Sequence, residues 1–113
     1  MKISTRTVDS VTVVDLQGRL MLGDDTEQFR TEIRELIQSG LKNILLNMGN
    51  VGYIDSSGVG ELVRAYASVT NQGGQLKLLN LTKKLHDLSM VTKLLTVFEA
   101  HENEKQAIES FRG

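Results

Sequence analysis

Asp55-Ser56-Ser57-Gly58 is the stretch of this sequence whose residue types could do chemistry. It places a carboxylate and two hydroxyls directly before an apolar-periodic segment, at the start of an expected helix. That end of a helix carries unsatisfied N–H groups and a partial positive charge. Three uses fit. Asp or Ser there can simply cap the helix, because these are preferred N-cap types. One serine can accept a phosphate, which brings a charge of about −1.5 to −2 and three acceptor oxygens, and a helix N-terminus is suited to receive it. Ser57 can also be read as a hydrolase nucleophile, which needs a base within about 3 Å of the hydroxyl. No His lies near it in sequence, so His86 would have to be brought there by the fold. A phosphate on this loop would leave the fold in place and block a partner docked over the same spot, since the group must be desolvated and stands beside Asp55. Gly58 and Gly60 are expected to leave the backbone uncovered near the serines, so that a kinase active site can approach closely.

The rest of the chain offers little competing chemistry. It has 113 residues, no Cys and two His, which removes disulfides, thiolate chemistry and the usual zinc ligand sets. His86 and His101 stand alone, with no second ligand at useful spacing. Gly18 to Gly23 lacks the phosphate-loop pattern, and no carboxylate pair or nucleophile–base pair is evident. The chain reads as a non-enzyme without cofactor or metal. Its 13 basic and 14 acidic side chains give a net charge of −1, without the basic excess that displaces counterions from nucleic acid. No basic amphipathic stretch, leader or run of about 20 apolar residues points to a membrane. A cytoplasmic protein of one domain, residues 1–113, is expected. The near-zero net charge with an apolar patch leaves monomer and weak dimer both open.

The elements that must position the Asp55 loop follow from periodicity. Residues 2 to 8 alternate weakly, as an edge strand would, and residues 11 to 17 alternate better. Asp9-Ser10 between them reads as a tight hairpin turn. Asp24-Asp25-Thr26 looks like a helix start, and Phe29, Ile33, Leu36 and Ile37 form its apolar stripe, ended by Ser39-Gly40. Ile44-Leu45-Leu46 fits a central strand buried on both faces, with residues 47 to 54 expected as a loop. Val59, Leu62, Val63, Tyr66 and Val69 make a second helical stripe. Residues 75 to 81 read as a third core strand. Residues 82 to 95 read as a helix with Leu85, Leu88, Met90 and Val91 inward. Thr96-Val97-Phe98-Glu99 reads as a short last strand and residues 102 to 111 as a terminal helix. The order ββαβαβαβα predicts an α/β fold. Its mixed, mostly parallel sheet has about five strands flanked by about four helices. In such sheets the functional crevice lies beyond the carboxyl ends of the strands, where the Asp55 loop falls. Leu20, Met21 and Leu22 form an apolar patch in a neighbouring loop, and Tyr53 is an aromatic beside the serines. Each can pack inward or contact a partner.

Asn43-Ile44-Leu45-Leu46-Asn47-Met48, then Val51-Gly52-Tyr53-Ile54, then Asp55-Ser56-Ser57-Gly58-Val59-Gly60 resembles the signature of bacterial anti-sigma factor antagonists of the STAS family. Upstream, Val13-Val14-Asp15-Leu16-Gln17-Gly18-Arg19-Leu20 resembles the family's second strand and its Gly-x-Leu. Downstream, Gly73-Gly74-Gln75-Leu76-Lys77-Leu78 resembles the turn and strand after the switch helix. The likeness covers essentially the whole chain. It implies a partner-switching cycle without nucleic-acid contact. The unphosphorylated protein binds an anti-sigma factor that is also a serine kinase, the kinase phosphorylates this loop, and a phosphatase resets it. By position in the motif Ser57 is the implied acceptor, with Ser56 next, and Asp55 orients the loop. Many members follow Gly-x-Leu with an Asp near the switch serine. Here Met21 stands there and the acids come later, so Asp24 is the candidate for that helper. The alternative is a STAS module that never accepts phosphate and serves as a scaffold or ligand sensor, with the loop only a cap. Burial of both serines would favour that alternative.

Overall fold

A computed structural model describes residues 1–86 and 95–112. The hairpin forms first in the chain. β1 (Lys2–Val8) and β2 (Val11–Leu20) pair antiparallel in register Val8 to Val11. Asp9 and Ser10 between them have φ of 49° and 68°, the doubly positive pattern of a two-residue turn that matches strand twist. Helix α1 (Asp24–Gln38), strand β3 (Asn43–Ile54), helix α2 (Ser56–Asn71) and strand β4 (Gln75–Leu79) follow. A short α3 (Lys83–His86), a 3₁₀ turn (Leu95–Val97), strand β5 (Ala100–His101) and helix α4 (Glu104–Ser110) complete the order. The sheet runs β1-β2-β3-β4-β5, parallel throughout except for the β1 edge.

The alternation of each strand sends its apolar residues to two layers. Val14, Leu16, Leu20, Ile44, Leu46 and Leu78 meet Phe29 and Ile33 of α1 and Val59, Leu62 and Val69 of α2. Val11, Val13, Leu45 and Leu79 turn the other way, to Ala107 and Ile108 of α4 and to Phe111. Ile44, Leu45 and Leu46 have no exposed surface, as expected of a strand sandwiched between helices. Lys77, buried beside Leu78, points its Nζ at the carbonyl and hydroxyl of Ser110, each 2.9 Å away. It also pairs with Glu99 at 2.8 Å, which ties α4 to the sheet.

Three expectations are corrected. The segment 47 to 54 is not a loop; it prolongs β3, because β2 continues to Leu20 and pairs with it, across two register shifts, as far as Ile54. Asn47, Gly49 and Gly52 are poor strand formers in isolation, and tertiary pairing overrides that preference. The ladder accommodates them through register shifts between Asp15 and Gln17 and between Gly18 and Arg19. The last strand is not residues 96 to 99 but Ala100–His101, opposite Leu78 and Leu79. The residues before it turn as a 3₁₀ helix, and Phe98 packs edge-on against Tyr66 with ring centroids 5.2 Å apart. His101 is not isolated, since its Nε2 lies 2.6 Å from Glu99 Oε2. The inward placement of Leu88, Met90 and Val91 lies outside the described residues. Among the described residues no helix is long and apolar enough to cross a membrane.

Candidate functional site

The parallel pairing of β2 and β3 ends with Leu20 beside Ile54. The two strands therefore deliver two loops to one place, the β2–α1 loop and the turn into α2. Asp55 holds them together. Its backbone is extended (φ −98°, ψ −177°), the N-cap geometry that lets the side chain fold back on the helix. Oδ1 accepts the Gly58 N–H at 2.8 Å. Oδ2 reaches across to the neighbouring loop and accepts the Leu22 N–H at 2.9 Å. The Asp55 N–H in turn donates to the Leu20 carbonyl at 3.3 Å. These donors, Leu22 first, hold the Asp55 carboxyl below the usual carboxylate range.

Gly58 is packed as well as capped. A Cβ there would lie 2.2 Å from the Leu20 carbonyl oxygen and 2.7 Å from Ile54 Cγ1. Gly58 is buried. This corrects the expectation that Gly58 leaves the backbone uncovered: the missing side chain admits Leu20, and it is Gly60 that has open space over it.

Ser56 is exposed and Ser57 is half-buried, so the two are not both sealed into the fold. Among the described residues neither hydroxyl makes a hydrogen bond. The first turn of α2 contains no acidic residue, which leaves its N–H groups and dipole facing the two serines. The local arrangement can therefore receive an added anion.

The flanking residues divide. Leu20 is wholly buried, Met21 is half-buried, and Leu22 is 76% exposed. Of the patch, Leu22 is thus the surface-facing member rather than Met21, whose N–H is drawn inward to Asp25 Oδ2 at 3.4 Å. Tyr53 is 41% exposed at the end of β3, opposite Arg19. Asp24 is exposed in the first turn of α1 and makes no ion pair among the described residues. Asp25, its neighbour, is the acid that ties down the Met21 loop. The sequence marks the Leu20-Met21-Leu22 patch but not which member faces outward, because the bond from Leu22 to Asp55 depends on two strand ends far apart in sequence.

Comparison with known proteins places this geometry among relatives. A family model described as the STAS domain matches residues 2–107. An anti-sigma F factor antagonist of Paenibacillus polymyxa is 26% identical over 99 residues, covering 87% of this chain and 84% of that one. The anti-sigma factor antagonist SpoIIAA in its unphosphorylated form superposes with a TM-score of 0.76 at 25% identity over 99% of both chains. The Bacillus cell fate determinant SpoIIAA in its phosphorylated form gives 0.72 at 24% identity, covering 96% of this chain and 98% of that one.

Proposed function

This chain belongs to the STAS domain family, and from that premise we propose that it is an anti-sigma factor antagonist switched by serine phosphorylation. The unphosphorylated form binds an anti-sigma factor that is also a serine kinase. The kinase transfers a phosphoryl group from ATP to the Ser57 hydroxyl, which loses its proton as the new P–O bond forms, and ADP leaves. A phosphatase returns the serine by hydrolysis. Ser56 is the second candidate for the acceptor.

One observation carries this reading. The N-terminus of α2 is capped by Asp55, lacks any acid in its first turn, and presents Ser56 and Ser57 with hydroxyls that make no hydrogen bond among the described residues. A phosphate there meets N–H groups and the positive end of the dipole, so the fold tolerates it. A docked partner does not, because it would desolvate a dianion standing beside the Asp55 carboxylate. Leu22 and Tyr53, exposed on either side, supply apolar area for a partner to cover. Met21 is half-buried beside them, and Asp24 adds negative charge at the rim. The relatives named as anti-sigma factor antagonists, one of them known in a phosphorylated form, support the same reading. The scaffold alternative is supported by burial of both serines, and Ser56 is exposed.

Mass spectrometry tests it. The full chain is incubated with ATP and each serine kinase encoded in its own genome. One added phosphate on Ser57 is the expected result. A kinase that binds tightly and adds none would leave the scaffold reading in its place. In parallel, Ser57→Asp should weaken binding to that kinase by about 1.4–2.8 kcal/mol, roughly tenfold to a hundredfold in Kd. Ser57→Ala should bind whether or not ATP has been supplied. If both variants bind like the wild type, the switch is not at Ser57.

A further inference from the structure

The cleft between α1 and α2 is made of residues that the Asp55 loop does not use. Phe29 and Ile33 of α1 and Ala65 of α2 give it an apolar floor, and Arg30, Arg34 and Arg64 stand around it. Its volume is about 490 Å³, within the range of roughly 300–1,000 Å³ typical of small-molecule sites.

Glu61 organises the charges. It is only 4% exposed, yet it carries a carboxylate. Its Oε1 accepts from Arg30 Nε at 3.3 Å, from Arg30 Nη2 at 2.7 Å and from Arg64 Nη1 at 2.8 Å, and Oε2 accepts from Arg30 Nε at 3.2 Å. Those donors, Arg30 first, hold the Glu61 carboxyl below its ordinary range, so it stays ionised. Among the lining side chains one carboxylate stands against three guanidinium groups, and Glu27, outside the lining, also acts on Arg30 and reduces that positive surplus. The Arg30 and Arg64 side chains remain 45% and 72% exposed while Glu61 fixes them in place. Arg34, one turn beyond Arg30, makes no ion pair among the described residues.

We propose that this cleft is a second binding site, for a small anionic ligand that carries a carboxylate or phosphate group on an apolar body. Guanidinium groups suit both acid groups. Glu61 engages Nε and Nη2 of Arg30 and Nη1 of Arg64, which holds those two side chains in position and leaves their remaining N–H groups for a ligand, and Arg34 can offer a whole fork. The apolar floor takes the body of the ligand. Gln38 and Gln72 at the far end offer amide donors and acceptors. The lining of α1 runs from Phe29 to Gln38, about 13 Å of helix. That length suits a ring or short chain with its acid group.

The test is an NMR titration of the labelled full chain with phenyl phosphate, with benzoate, and with neutral phenol. The expected result is amide shifts confined to residues 29–38 and 61–72, saturating with at least one acid and about tenfold weaker with phenol. The tighter of the two acids identifies the head group. Arg34→Glu should weaken acid binding by about tenfold or more and leave phenol unchanged, and Arg34→Gln should weaken it less. Arg34 is exposed, so both variants should keep the dispersed spectrum of the fold. Equal binding of acid and phenol, shifts scattered over the surface, indifference to Arg34→Glu, or a response only to an acidic peptide such as hexaglutamate would each overturn the proposal. Ser57→Ala should titrate like the wild type, so failure of the switch reading and failure of this one are separable.

Discussion

The N-termini of α1 and α2 lie on neighbouring loops, and they solve the same electrostatic problem differently. At α1 the cap is Gly23, which has no side chain to offer, and the first turn is filled with Asp24, Asp25 and Glu27. At α2 the cap is Asp55 and the first turn holds Ser56, Ser57 and Gly58, with no acid. Both ends carry a partial positive charge of about half a unit. One is balanced by permanent carboxylates, and the other is left with a single capping carboxylate and two neutral hydroxyls. Only the second leaves room for a charge that can be added and removed. The difference supports the proposal that the α2 end carries the switch and α1 is its fixed neighbour.

The largest expected effect tests how rigidly the α2 end is placed. Gly58→Ala puts a Cβ against the Leu20 carbonyl and Ile54, and overpacking backbone in this way should cost about 3 kcal/mol. Gly60→Ala is the matched control. It sits in the same helix with nothing within 4 Å of the added methyl. It should raise stability by about 0.5–1 kcal/mol through helix propensity. Urea midpoints at constant m-value read both. If Gly58→Ala were as stable as the wild type, the close approach to Leu20 would not be what fixes the glycine.

A middle-sized effect comes from the cap. Asp55→Ala removes acceptors from Gly58 and Leu22 together and should cost about 1–2 kcal/mol. The cost should depend on pH. Hydrogen bonds hold the folded-state carboxyl below its ordinary value, which is about 3.9 in an unfolded chain. In acid the unfolded chain therefore binds the proton more readily. The stabilisation is complete above that ordinary value and is lost as pH falls through the lower, folded value. Denaturation midpoints of wild type and Asp55→Ala should converge between about pH 5 and pH 2. A gap that stayed constant with pH would mean that packing, not the ionised cap, accounts for the loss.

Much of this arrangement was legible in the sequence, and the failures have physical causes. The hairpin at Asp9-Ser10, the stripes of α1 and α2 and the doubly buried Ile44-Leu45-Leu46 all rest on local periodicity, which a chain declares by itself. The extent of β3 does not. Asn47 to Gly52 look like a loop until β2 is known to run beside them. Asp55 was readable as a cap, while its bond to Leu22 was not, because that bond requires the ends of two strands separated by 33 residues to meet. Glu61 is not legible in the sequence, because a charged residue in a helix reads as part of a solvated face. Here Arg30, on the facing helix, makes its burial tolerable. Thr96-Val97-Phe98 has strand-forming types and reads as the last strand, whereas in the fold Phe98 packs against Tyr66 and the strand is Ala100–His101.

The smallest effect bears most directly on the comparison. Asp24→Asn removes one of the acids that balance α1 and should cost about 0.3–1 kcal/mol. Ser57→Asp adds an acid to the end that lacks one, and should stabilise the isolated protein by a similar amount. Both changes should shrink as salt rises, since the first turn is exposed enough for ions to screen it. Opposite signs with a common salt dependence would show that α2 is the end short of negative charge. If Ser57→Asp instead destabilised the protein by about 1 kcal/mol, repulsion from Asp55 would outweigh the dipole. The added charge would then act by loosening the hold of Asp55 on Gly58 and Leu22, and not by blocking a partner above an unchanged fold.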